Sequence, residues 1–308
     1  MKYSFFSYPC WAIAITIIFA NVANSHRELN HPVDNFMLAS SDADTWEEPP
    51  SSTGGRVGGT RRGGCERDGQ EVPCPAKNLP LLALVPVSQD TFNEFQAEKK
   101  DNPELTLTEW EQQDGANIRS LSGTLEPHPI FWFYIPELPA SCQARFDIEE
   151  LDETGNPNGK FLKEGDDSFE MPLPQSGGIV GFGLPEAEAY ALKVNQPYGW
   201  TFSIKCPQER YRDSDVNAAV IRINNANIQQ EIETVKRQNN QELFDIAWKK
   251  YKIWHETITA LAEHRRQQNN QDVPNDKLTE LLEDERVGFP ELFPELKDAP
   301  VLGWHRFE

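Results

Sequence analysis

Two stretches of the chain alternate cleanly between apolar and polar positions. In "CQARFDIEEL", Cys142, Ala144, Phe146 and Ile148 fall on one side, and Gln143, Arg145, Asp147 and Glu149 on the other. In "YGWTFSIKC", Tyr198, Trp200, Phe202, Ile204 and Cys206 share a face opposite Gly199, Thr201, Ser203 and Lys205. A period of two is that of a strand with one buried face. A third stretch, "HPIFWFYIP", does not alternate. As a strand it puts Phe131, Phe133 and Ile135 on one face and Ile130, Trp132 and Tyr134 on the other, both apolar. Such a strand is covered twice, by an opposing sheet and by something else. The candidate second cover is the helical C-terminal part, seated on Trp132 and Tyr134.

"LPLLALVPV", "GGIVGFGLP" and "NAAVIRI" read as further strands, the last of these closing the β region. In "GGIVGFGLP" the glycines interleave with Ile, Val and Phe and lead to a proline, not to a helix. They make room for an aromatic neighbour and do not cradle phosphate. "ETGNPNGK" carries hairpin-turn chemistry in Gly155, Asn156, Pro157, Asn158 and Gly159. Residues 91–112 are mostly polar and read as an insertion loop or irregular helix. Short strands with Pro/Gly punctuation over 73–223 predict an antiparallel, Ig-like β-sandwich.

Near residue 225 the period changes. Residues 227–268 hold many helix formers. Leu243, Ile246, Ala247 and Tyr251 fall at three-four spacing, interrupted by Lys250, and Trp254, Ile258, Leu261 and Ala262 form a second stripe. The phase shift at Lys252 and Ile253 predicts a helix–turn–helix. Pro274 ends it, and Asn275 reads as the N-cap of a short third helix. Phe289, Leu292, Phe293 and Leu296 are expected to dock back onto the helices. The fold class is therefore mainly β with α: a sandwich followed, over 224–308, by a helical hairpin, a short third helix and a tail.

The N-terminal region differs from both. Residues 1–25 read as an export signal: Lys2, the apolar run "FFSYPCWAIAITIIFA", and small residues at Ala23 and Ser25. Residues 26–72 read as a flexible linker rich in Gly, Ser and Pro, with Arg56, Arg61, Arg62 and Arg67 among glycines. The expected location is periplasmic or secreted, with no membrane association after signal cleavage. The 49 acids outnumber 29 bases, for a net charge of −20. That argues against a general nucleic-acid binder and against adsorption to anionic lipid.

Candidate chemistry thins out on inspection. "IWHETITALAEH" begins like a zinc-protease helix, but the second histidine belongs at position 259, which is Thr. His255 and His264 read as surface histidines. Asp213, Asp215 and Asn217 start an EF-loop rhythm, yet Ala218 and Asn224 stand where a glycine and a bidentate acid are needed, so a solvated loop is expected. Asp152, Glu153 and Asn158 read as part of a hairpin turn. The cysteines show no C-x2-C pair, which argues for disulfides over zinc. No catalytic, cofactor-binding or metal-binding residue is assigned, and an enzyme is not expected.

The stretches "CPAKNLPLLALVP", "HPIFWFYIP", "GGIVGFGLP", "PYGWTFSIKC" and "AAVIRI", in this order and followed by "YKIWHETITALAEHR", resemble an exported cyanobacterial family known as domain of unknown function 928. The resemblance covers roughly 74–290. It implies an extracytoplasmic β-rich module followed by helices, and no activity. It also implies a Cys74–Cys206 bridge, leaving Cys65 and Cys142 for a second. Strand geometry offers a different pairing, Cys142–Cys206 with Cys65–Cys74, because Cys142 and Cys206 both occupy inward-facing positions.

Two binding roles remain. A helical unit presenting Trp248, Tyr251 and Trp254 suits an envelope adaptor that acts through a protein partner, unless that face packs on its own sandwich. Exposed aromatics on the sheet suit a carbohydrate- or peptidoglycan-binding module.

Overall fold

A computed structural model describes residues 56, 65–67, 70–72, 81–107, 110, 120–138, 142–163, 168–206, 214–236, 240–268, 276–289 and 294–307. All fall in one compact unit, Ala43–Glu308. The expected signal at 1–25, most of the expected linker, Cys74, Asp213, Asn275, Leu292 and Phe293 lie outside the described residues.

The protein is mixed α/β, mostly strands with a few helices. A two-stranded hairpin, β1 (Cys65–Arg67) and β2 (Gln70–Val72), precedes two larger sheets. One sheet orders β3 (Leu82–Ala83), β5 (Ile130–Ile135), β9 (Gly178–Gly183) and β12 (Val301–Arg306) from edge to edge. The other orders β4 (Leu121–Thr124), β11 (Ser214–Arg222), β10 (Pro197–Lys205), β6 (Gln143–Leu151) and β7 (Pro157–Phe161), with β8 (Phe169–Pro172) also paired to β6.

The alternating faces of β6 and β10 meet β5 across the core. Phe133 stacks on Phe202 with ring centroids 4.1 Å apart, and Phe131 lies 4.8 Å from Phe146. Trp200 sets its edge against both Phe131 and Phe133. The other face of β5 is covered as its composition predicts. Trp132 is buried, and its Nε1–H donates to Thr259 Oγ1 at 2.9 Å on a helix; Tyr134 is half-buried. Gly181 on β9 explains the glycine pattern. A Cβ there would lie 2.7 Å from Ile130 Cγ2, 2.8 Å from Trp304 Cβ and 3.1 Å from Trp132 Cε2.

Three features depart from the sequence reading. Two pairings are parallel, β4 with β11 and β9 with β12, so the sheets are not purely antiparallel. β11 is not the final strand. The C-terminal tail supplies β12, after which Phe307 inserts against Phe146 and Phe182. Of the insertion loop or irregular helix read over 91–112, the first part is a regular helix that starts two residues earlier: α1 (Gln89–Asp101), whose first turn is capped by Ser88 Oγ accepting from Thr91 N.

The remaining helices are α2 (Ala226–Lys236), α3 (Asn240–Leu243), α4 (Trp254–Gln267) and α5 (Lys277–Leu282). α3 continues into a π-helical stretch, Phe244–Lys250. This stretch turns Phe244, Ala247 and Trp248 inward and leaves Lys249 and Lys250 outside. The chain then breaks where the hydrophobic phase shifts, with Lys252 in the left-handed region at φ 57°. Asp276, not Asn275, caps α5: its side chain accepts from Leu278 N at 3.1 Å.

Cys142 and Cys206 form a disulfide. β6 and β10 run antiparallel with Gln143 opposite Lys205, so the next pair outward is Cys142 and Cys206. This register overrides the Cys74–Cys206 pairing that the resemblance implied.

Candidate functional site

The hairpin between β6 and β7 is fixed by its own turn chemistry. Asp152 Oδ1 accepts from Thr154 N (2.9 Å), Thr154 Oγ1 (2.7 Å) and Asn156 N (2.9 Å), and Gly155 supplies the left-handed residue at φ 81°. The Thr154 hydroxyl and the turn amides hold the Asp152 carboxyl below its ordinary pKa. That oxygen is committed to the turn.

β7 is an edge strand exposed along its whole length. It lines a cleft of ≈ 810 Å³ together with residues of a 3-10 turn, Glu188–Tyr190, and the segment that follows it to Lys193. The volume lies within the ~300–1,000 Å³ typical of ligand pockets. Tyr198 of β10 and Arg222 of β11 also line it. Tyr198 is fully buried, its hydroxyl oxygen accepting from Lys193 N at 3.3 Å; burial raises its pKa above the ordinary phenol value. Arg222 donates from Nη1 to Leu192 O at 3.0 Å.

Two acids, Glu150 and Glu188, line the cleft with these residues. Glu150 Oε1 accepts from Lys193 Nζ at 2.5 Å, and Glu150 Oε2 lies 3.8 Å from Lys160 Nζ. Burial pushes the Glu150 carboxyl up, but its bond to Lys193, that cation's charge, and contributions from Asn158 and Lys160 outweigh it, so the pKa falls below the ordinary value. Lys163 donates to Ser168 O at 3.1 Å and sits over the Phe169 ring. Tyr190 meets the same ring edge-on, with centroids 5.3 Å apart. Phe161, 43% exposed, is one of the few large apolar side chains left open to solvent among the described residues.

None of these cleft residues stands out in the sequence as a site. The signal available was the run "NGKFLK", which gathers two lysines and an aromatic in a chain otherwise dominated by acids. The partner-binding candidates are placed elsewhere and serve another purpose. Trp248, Tyr251 and Trp254 are all buried. Trp248 and Trp254 pack edge to face at 5.2 Å, Trp248 Nε1 donates to Asp284 Oδ2, and Trp254 Nε1 donates to Leu84 O. Since one helical unit cannot bury its apolar stripe alone, the protein uses its own sheets and tail as the partner. The three residues offer no free surface.

His255 is likewise buried, not a surface residue as expected. Its Nε2 is 2.9 Å from Ser122 Oγ, and its Nδ1 is 2.8 Å from Ile130 O. The serine–imidazole contact looks like a nucleophile and base, but Ser122 is 1% and His255 2% exposed, and a substrate cannot reach them. Beside it, Glu256 Oε1 accepts from Leu125 N (2.7 Å), Thr124 Oγ1 (2.8 Å) and Glu126 N (3.1 Å). This carboxyl clamps the end of β4, a role the sequence reading missed. Desolvation raises its pKa. Asp215 and Asn217 lie within β11, opposite Ser203 and Thr201, so they belong to a ladder and not to a loop.

Comparison with known proteins gives one family. The profile of the family described as "Domain of Unknown Function (DUF928)" matches residues 57–295. No curated protein matches the chain.

Proposed function

We propose, for a chain that belongs to the DUF928 family, a binding role without catalysis: an exported accessory protein of the cell envelope that holds a saccharide in the β7 cleft. The observation that carries this reading is Phe161, a large apolar ring left 43% exposed in a cleft it lines together with Lys160, Lys163, Lys193, Arg222, Glu150 and Glu188. An aromatic ring in a concave, hydrogen-bonding setting suits the ring of a sugar, which has an apolar C–H face and polar edges. Tyr190 adds a second ring, and the charged side chains of the lining add polar partners. The signal-like N-terminus supports export. The Cys142–Cys206 bond fits an oxidising compartment. Trp248, Tyr251 and Trp254, on which an adaptor reading would draw, are buried.

Isothermal titration of the full chain against a panel of neutral and acidic oligosaccharides tests the reading. Binding is expected, together with at least a tenfold loss in Phe161→Ala at unchanged melting temperature. If no member of the panel binds at millimolar concentration, the reading fails.

A further inference from the structure

We infer that the cleft selects an acidic saccharide, one whose sugar ring carries a carboxylate; this rests on the saccharide-binding reading and specifies its ligand. Local charge in the cleft carries the selection. In a chain of net charge −20, the cleft is lined by Lys160, Lys163, Lys193 and Arg222 against only Glu150 and Glu188 among the described residues. Glu150 engages Lys193 and Lys160. The other two cations spend their hydrogen bonds on neutral carbonyls, Lys163 on Ser168 O and Arg222 on Leu192 O. Those bonds position the cations without neutralising them. The cleft thus keeps a surplus of positive charge, fixed by the backbone of the segment before β10 and of the loop before β8.

The surrounding acidity does not cancel this. At physiological ionic strength, charges beyond ~8 Å are largely screened, whereas an anion inside the cleft meets its cations at contact distance. The acidic surface instead discourages anions from settling elsewhere. A carboxylate set on a sugar also matches the arrangement by type: charge toward Lys163 and Arg222, ring face toward Phe161 and Tyr190. Charge-assisted bonds of this kind are about twice as strong as neutral ones, so selectivity should follow charge more than ring identity.

The test compares tetrasaccharides of galacturonate, glucuronate and alginate with their full methyl esters, which keep every ring and hydroxyl but lose the charge. The full chain is titrated at 0.15 M and 0.5 M NaCl, with tetraglutamate as a non-sugar anion. The expected result is binding of at least one acid form tenfold or more tighter than its ester, a ratio that shrinks in high salt, and weaker binding of tetraglutamate. Lys163→Gln should cut acid binding several-fold and bring the acid-to-ester ratio toward one. Equal binding of acid and ester overturns the charge selection and leaves the saccharide reading standing. Equal binding of tetraglutamate overturns the sugar and leaves an anion site. Binding of none overturns both.

Discussion

His255 Nε2 lies 2.9 Å from Ser122 Oγ, in a contact closed to solvent. Ile130 O, 2.8 Å from Nδ1, can only accept, so Nδ1 carries the proton and Nε2 of the neutral ring takes the serine proton. Protonating the ring would force Ser122 to turn its hydroxyl toward Ala219 O, 3.1 Å away. The pair is a structural joint between β4, β5 and the first turn of α4.

This joint gives a pH dependence of known sign. Desolvation lowers the His255 pKa from 6.5 to about 4. The unfolded chain therefore takes up its proton first. The stability contributed by the neutral ring is complete above pH 6.5 and drains away as pH falls toward 4, by on the order of 3 kcal/mol. Glu256, whose pKa is raised by burial, works the opposite way: the folded state gains on acidification through its titration. Replacing His255 with Gln isolates the imidazole. Urea unfolding at pH 7 should show a loss of about 1–3 kcal/mol from broken buried bonds. Between pH 6.5 and 4 the variant should lose less stability than the wild type. An identical acid slope in both proteins would mean that His255 does not titrate in this range.

Gly181 gives a steric prediction. Its missing Cβ is the space that Ile130 Cγ2 and Trp304 Cβ occupy, and a methyl group would sit under 3.0 Å from both. Neither neighbour is the loose end of a flexible chain. Gly181→Ala should cost about 1–3 kcal/mol through overpacking, seen as a lower urea midpoint at unchanged m-value. Alanine at Gly159 separates backbone strain from crowding, because a Cβ there would meet no atom within 4 Å while φ is +77°.

What could be read from the sequence was local. The alternation in β6 and β10 shows directly in which side chains are buried, because a period of two needs no knowledge of the partner strand. The two-sided row of β5 likewise foretold a cover on both faces. What could not be read depended on distant partners. β12 finds its place beside β9 through residues more than a hundred positions away. The burial of Trp248 and Trp254 depends on Asp284 and Leu84. The cleft joins Lys160 and Lys163 to Lys193 and Arg222 through strand order, which composition does not encode. Arg56 is the clearest case. Its glycine-rich neighbours mark a spacer, yet the residue itself is buried.

Arg56 is held from several directions. Its Nη1 donates to Val85 O at 2.7 Å and to Val287 O at 3.0 Å, its guanidinium lies 4.6 Å over the Phe289 ring, and its carbonyl accepts from Ala83 N at 2.7 Å. It thereby ties the edge strand β3 to the segment after α5. Removing the side chain strands two buried carbonyls and uncovers an aromatic face. Arg56→Ala should cost about 2–4 kcal/mol, measured by chemical denaturation. Arg56→Lys should recover only part of this, because a point-like ammonium reproduces neither the fork nor the stacking. Full recovery by lysine would show that charge alone holds the segment.

The Cys142–Cys206 bridge closes a loop spanning a sequence separation of 64 and fastens the ends of two neighbouring central strands. By the chain-entropy relation, a loop of that length restricts the unfolded chain by about 4 kcal/mol, an upper figure if the denatured ensemble retains structure. Replacing both cysteines with serine should lower the unfolding free energy by up to that amount while leaving the β6–β10 register intact. The register rests on the Phe146–Phe202 and Ile148–Trp200 pairs and not on the sulfurs. Peptide mapping without reductant is the direct check. A 142–206 linkage is expected. A 74–206 linkage would require Cys206 to leave the position opposite Cys142, and would therefore contradict the register of the two strands that carry Phe146, Trp200 and Phe202.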